Sequence, residues 1–79
     1  MHAAKVETSR RLQRVLHVLR NAGNVGATSR MLMNEANVVA PGTCVSELRR
    51  SGYDIDCMHL ETRDDGAKVY LYRLMGRLP

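Results

Sequence analysis

The chain has 79 residues, 44% hydrophobic and 25% charged; a chain this short buries only about 60% of its unfolded surface, so it can build one small core, and its composition is that of a folded domain. No apolar run approaches the ~18 residues of a membrane span, and Met1-His2-Ala3-Ala4-Lys5 is not continued by the unbroken apolar stretch of a secretion signal, so a soluble cytoplasmic protein with no membrane partner is expected. The net charge of +4 is carried by residues 1–50, with eight basic against three acidic side chains, and ten of the twelve basic residues are arginine, whose planar fork suits phosphates and guanine edges.

Between Glu7 and Ala22, Leu12, Val15, Leu16 and Leu19 fall at i, i+3, i+4 and i+7, the stripe of an amphipathic helix. Arg10, Arg11, Arg14 and Arg20 occupy its other faces; Thr8 or Ser9 can cap its start, and Asn21-Ala22-Gly23 can end it. A turn-rich stretch, Gly23 to Ala27, leads to Thr28-Ser29, which can cap a second helix reaching about Ala36 with Leu32 and Ala36 inward. Asn37 to Pro41 reads as a turn, and Pro41 is suited to the first position of a third helix that continues to Arg50 and stops at Ser51-Gly52. Val45 and Leu48 face inward there, leaving Thr43, Ser46, Glu47, Arg49 and Arg50 at or near the surface.

After Tyr53 the period changes to two. Asp54 to Glu61 alternates over its first part, Lys68 to Leu74 is rich in strand formers, and Arg63-Asp64-Asp65-Gly66 supplies the Asp-Gly of a hairpin loop. A lone hairpin is marginal in water, so this one must lay a face on the helices. Residues 7–75 form the expected domain, with residues 1–6 and 76–79 as flexible termini.

Three helices followed by a two-stranded β-hairpin describe an α+β winged helix-turn-helix domain. The segment Val45-Ser46-Glu47-Leu48-Arg49-Arg50-Ser51-Gly52-Tyr53-Asp54-Ile55, with the later Tyr70-Leu71-Tyr72-Arg73-Leu74, resembles the small winged helix-turn-helix proteins common in phages and prophages. These carry a similar leucine-arginine-x-x-glycine-tyrosine-x-isoleucine string at the end of the third helix and a tyrosine-arginine-leucine string in the last strand. The similarity runs roughly from Leu12 to Leu74. It implies a third helix that enters the major groove, in a family that includes repressors, excision factors and replication accessories.

Helix N-terminal residues usually meet base edges, which designates Gly42, Thr43 and Ser46, whose small side chains let the backbone come close. Arg49 and Arg50 lie a turn further on; one can reach a guanine edge or a phosphate while the other packs its stem on Tyr53, or both can simply solvate a helix C-terminus. Ser29 and Arg30 open the second helix, where they either hold a phosphate or serve as a plain cap and its neighbour. Arg10, Arg11 and Arg14 either track a phosphate backbone or form a wet helix face. Arg63 and Lys68 can contact the backbone from the strands, but Asp64 and Asp65 at the tip repel phosphates, which argues against deep insertion in the minor groove. Val69 and Leu71 on one strand face, and Tyr70, Tyr72 and Leu74 on the other, make both faces apolar; either a homodimer forms there, or the first helix and the tail cover the second face.

Tyr53, Tyr70 and Tyr72 are the only phenol or indole-type rings, too few for a base-stacking platform. His17 and His59 lack a nucleophile partner at a recognisable spacing, and a core this small can spare little volume for a pocket, so no enzyme, cofactor or small-molecule substrate is expected. Cys44 and Cys57 are too few for a disulfide framework; Cys57 and His59 could share a strand face, but two ligands do not close a metal site, and buried free thiols are expected. Met31, Met33 and Met58 read as gap-fillers. The leading expectation is a sequence-specific double-stranded DNA-binding protein of phage or bacterial type, a transcriptional regulator or a recombination or replication accessory, working without a cofactor. The alternative is a winged-helix docking module that binds or inhibits a host protein, and a third reading, a small metal-dependent enzyme, requires bound zinc.

Overall fold

Helix α1 (Arg10–Ala22) opens the computed structural model, which describes residues 9–77. The stripe read from the sequence, Leu12, Val15, Leu16 and Leu19, is buried and is joined by Val18. Ser9 is the cap: its hydroxyl accepts the Leu12 amide at 3.3 Å. Glu7 and Thr8, expected at the helix start, lie outside the described residues. At the other end Gly23 leaves the helix at φ 56°.

A single 3-10 turn (Gly23–Val25) follows, then strand β1 (Ala27–Thr28), helix α2 (Ser29–Glu35), helix α3 (Pro41–Arg50), and the strands β2 (Tyr53–Thr62) and β3 (Lys68–Arg77). The three strands form one antiparallel sheet in the order β1-β3-β2. The domain is therefore α+β with three helices, and the two-stranded sheet expected from the sequence is corrected to three strands. A two-residue strand has no period to read. It exists because Ala27 pairs with Tyr72 and Thr28 with Leu71, and because Gly26 lets the chain press onto β3. Gly26 has φ 85° and ψ 172°, a region essentially reserved for glycine, and a Cβ there would stand 2.8 Å from the Tyr72 carbonyl oxygen.

The hairpin is longer than its alternating pattern. Met75 to Arg77, expected to belong to a frayed tail, continue β3, where Gly76 pairs with Asp54 and Arg77 with Tyr53. The Arg77 guanidinium lies over the Tyr53 ring, 5.0 Å from its centroid, which ties down the end of the sheet. Leu78 and Pro79 lie outside the described residues. Two register shifts place an extra residue, Leu60, in β2 and another, Met75, in β3.

The helices lie on one face of the sheet. Tyr53, Ile55 and Tyr72 are buried in the core with Leu12, Leu19, Leu32, Leu48 and Cys44, and Tyr70 and Leu74 pack against it. Each fully buried leucine contributes about 1.5–3 kcal/mol of transfer free energy. Of the two apolar hairpin faces, that of Tyr70, Tyr72 and Leu74 is the covered one; opposite it, Val69 is buried, Leu71 half-buried, and Met58 49% exposed. Cys57, on β2 opposite the buried Tyr72, is an exposed thiol, where a buried one was expected. Met31, Met33 and Met58 are likewise exposed and fill no gap in the core. No helix among the described residues is long and apolar enough to cross a membrane.

Because any side chain at Gly26 must strain the backbone and collide with β3, Gly26→Ala is expected to destabilise the fold by about 1–3 kcal/mol from strain alone. Urea unfolding measures this, and a loss under about 0.5 kcal/mol would contradict the close approach of β1 to β3.

Candidate nucleic-acid interface

Helix α3 starts at Pro41, whose missing N–H costs nothing at that position, and it buries Pro41, Cys44, Val45 and Leu48. At about 100° per residue these four occupy one arc, which turns Thr43, Ser46 and Arg50 to the opposite side. All three are exposed. Gly42 and Arg49 fall on the flank that faces the hairpin. A Cβ at Gly42 would lie 3.7 Å from the Tyr72 hydroxyl, and the Arg49 guanidinium donates from Nε and Nη2 to the Ile55 carbonyl at 3.1 and 2.6 Å. Glu47, on the other flank, accepts from Arg11 Nη2 at 2.8 Å, and Arg11 Nη1 approaches Cys44 Sγ at 3.2 Å. The bonds to Cys44 and Glu47 hold the Arg11 guanidinium even further above its ordinary pKa.

The arginines expected to act together on phosphates therefore divide. Arg11 ties α1 to α3. Arg14 donates from Nε to the Ala36 carbonyl at 2.8 Å and from Nη2 to the Asn37 carbonyl at 3.5 Å, closing the end of α2 where Asn37 turns through φ 52°. Arg10 is exposed. The arginine over Tyr53 is Arg77 from the strand, through its guanidinium, while Arg49 bonds to the Ile55 carbonyl. The Arg50 side chain has no hydrogen bond or ion pair among the described residues.

At the start of α2 both hydroxyls are engaged within the chain. Thr28 accepts the Met31 amide at 3.1 Å as the cap, and Ser29 accepts the Tyr70 amide at 3.3 Å, joining α2 to β3. Arg30, next along, is exposed without a partner among the described residues. At the hairpin loop the Arg63 amide bonds to the Ala67 carbonyl at 2.8 Å, and Asp65 accepts the Ala67 amide at 2.9 Å. Arg63 and Lys68 are exposed on either side of it. On β2 and β3, Asp56 pairs with Arg73, whose hydrogen-bonded charge holds the Asp56 carboxyl below the usual range. Burial pushes the Tyr72 phenol up.

One grouping escaped the sequence reading. The His59 and Tyr70 rings stand 5.5 Å apart at 54°, Tyr70 lies 6.4 Å from Tyr72, and His59 Nε2 is 3.1 Å from Thr62 Oγ1. Their alignment depends on the Leu60 bulge, so only the register of β2 on β3 reveals it. Among the described residues no three His, Cys, Asp or Glu side chains gather as a metal site.

The exposed groups are a short helical ridge of small hydroxyl-bearing residues on α3 with Arg50 at one end, Arg30 on α2, and Arg63 and Lys68 at the hairpin loop. The chain matches no family model, no curated protein and no solved structure, so the functional argument rests on this geometry.

The two adjacent arginines of α3 should separate in a stability measurement. Arg49→Ala removes the tie from α3 to β2 and is expected to cost about 1–2 kcal/mol in urea unfolding, whereas Arg50→Ala should change stability by no more than about 0.5 kcal/mol. Equal effects would contradict the assignment of Arg49 to the Ile55 carbonyl.

Proposed function

We propose that this chain is a winged helix-turn-helix protein that binds double-stranded DNA sequence-specifically, as a regulator or a recombination or replication accessory of phage or bacterial type, reading the major groove with α3. The observation that carries the reading is the outward arc of α3, where Thr43, Ser46 and Arg50 are exposed on a helix otherwise anchored in the core. A helix fits a groove about 12 Å wide, and short hydroxyl side chains let its backbone approach base edges, where they donate and accept. Arg50 then reaches a guanine edge or a flanking phosphate. Arg30, Arg63 and Lys68 supply backbone contacts that set position, and Arg49 acts by fixing the helix against the hairpin.

A second reading, a module that docks on a host protein, draws on the sheet's outward side, where Met58 is 49% and Leu60 48% exposed. The acidic tip adds to it. The basic first half and the polar ridge of α3 favour the nucleic acid.

With Arg30, Arg50, Arg63 and Lys68 neutralising four phosphates, log K should fall with log salt at a slope of roughly −3 to −4. Fluorescence anisotropy on a labelled duplex, enriched from a randomised pool by capture on this protein, measures the slope. Arg50→Ala is expected to flatten it by about 1. A folded protein that enriches no duplex at low salt would exclude the reading and favour protein docking.

A further inference from the structure

We propose that the stem of the hairpin holds a second nucleic-acid contact, in which the Tyr70 hydroxyl, backed by the His59 ring, donates a hydrogen bond to a backbone phosphate beside the N-terminal end of α3. This rests on the duplex-binding reading and extends it to uncharged residues of the hairpin stem.

Placement comes first. Tyr70 and Tyr72 share the strand face that packs on the helices, and the register sets His59 opposite Tyr70 and Cys57 opposite Tyr72. The Tyr72 hydroxyl lies under Gly42 at the start of α3, and the Tyr70 amide is bonded by Ser29 at the start of α2. Tyr70 thus stands one step nearer the loop than the residue that meets α3, in the corner between the two helix starts and the hairpin.

The chemistry of the pair suits a contact in that corner. Tyr70 is half-buried with its ring against the core, so little rotamer freedom remains to be lost on binding. Its hydroxyl has no hydrogen bond among the described residues and is not a buried orphan, so it meets solvent. His59 is exposed, yet its ring is held from two sides, by Thr62 Oγ1 at 3.1 Å and by the Tyr70 ring. An exposed ring fixed in this way restricts the phenol beside it. Positive charge flanks the corner, from Arg30 directly after Ser29 and from Lys68 opposite Thr62. A helix in the major groove has a phosphate backbone on either side of it, and tyrosine hydroxyls are ordinary partners of such phosphates. Tyr70 is the contacting residue and His59 a positioning residue.

The test is anisotropy on the duplex enriched by the wild-type protein. Tyr70→Phe, which removes one oxygen, is expected to weaken binding about three- to tenfold with the thermal midpoint unchanged. The salt slope should not move, since a neutral donor displaces no counterion. His59→Ala should weaken binding similarly, and the double variant should lose less than the product of the two, as expected of residues acting through one contact. Replacing single phosphates by methylphosphonates should identify one position at which wild type and Tyr70→Phe bind alike. Wild-type binding with an unaffected Tyr70→Phe variant overturns this inference alone, as does a loss shared by every methylphosphonate position. A wild-type protein that binds no duplex overturns the functional reading, and this contact with it.

Discussion

Strand β3 is the only one of the three with a neighbour along both edges, and the starts of both short helices are tied to it by side chains. On one edge it holds the two residues of β1, brought in close by Gly26; on the other it holds β2 through Tyr53 to Thr62. Its Tyr70 amide donates to the Ser29 hydroxyl and its Tyr72 hydroxyl lies beneath Gly42, so the start of α2 and the start of α3 are referred to nearby points on one strand. The angle between the two short helices is therefore fixed by more than the turn that joins them. A seven-residue helix such as α2 has little stability of its own and must obtain its position from packing.

The arginines show why a count of basic residues overstates how many can meet an anion. Arg11 is occupied by Glu47, Arg14 by the Ala36 and Asn37 carbonyls, Arg49 by Ile55, Arg73 by Asp56, and Arg77 by the face of Tyr53. A guanidinium has five donors on a long apolar stem, which makes it as good a tie between elements as it is a phosphate ligand. In a domain too small for a large core, such ties replace part of the missing apolar burial. Arg11 and Arg49 grip α3 from opposite flanks, and the arc between them stays open.

The elements set by long local patterns were legible in the sequence: the buried stripe of α1, Pro41 at the start of α3, the stop at Ser51-Gly52 and the Asp-Gly loop. What escaped depends on partners distant in sequence. Ala27 and Thr28 are too few to show a period, and only Tyr72 and Leu71 make them a strand. Met75 to Arg77 look like a tail until Tyr53 and Asp54 are placed beside them. Cys57 has the hydrophobicity of a core residue but lies exposed on β2, while its partner across the ladder, Tyr72, takes the buried place. At the candidate interface, the exposure of Thr43, Ser46 and Arg50 follows from helical spacing. The different fates of Arg49 and Arg50 do not, because they depend on where the Ile55 carbonyl points.

The distribution of charge along the hairpin also bears on how a duplex would lie. The chain measures 37 × 27 × 20 Å, the shape of a small body with an extended ribbon, and Met58 to Lys68 are exposed throughout. Asp64 and Asp65 occupy the loop, while Arg63 and Lys68 stand just behind them. At physiological ionic strength charges more than about 8 Å apart are largely screened, so a duplex lying across the stem near Tyr70 feels the helix residues more strongly than the carboxylates at the loop, whereas one at Arg63 meets its chain neighbour Asp64 as well. A duplex pressed against the loop would meet the carboxylates at close range, and the Asp65 carboxylate is already fixed there by the Ala67 amide. On the proposed reading, the acidic loop disfavours the pose in which the ribbon points into the groove and leaves the one in which its stem lies alongside the backbone, with α3 in the groove next to it.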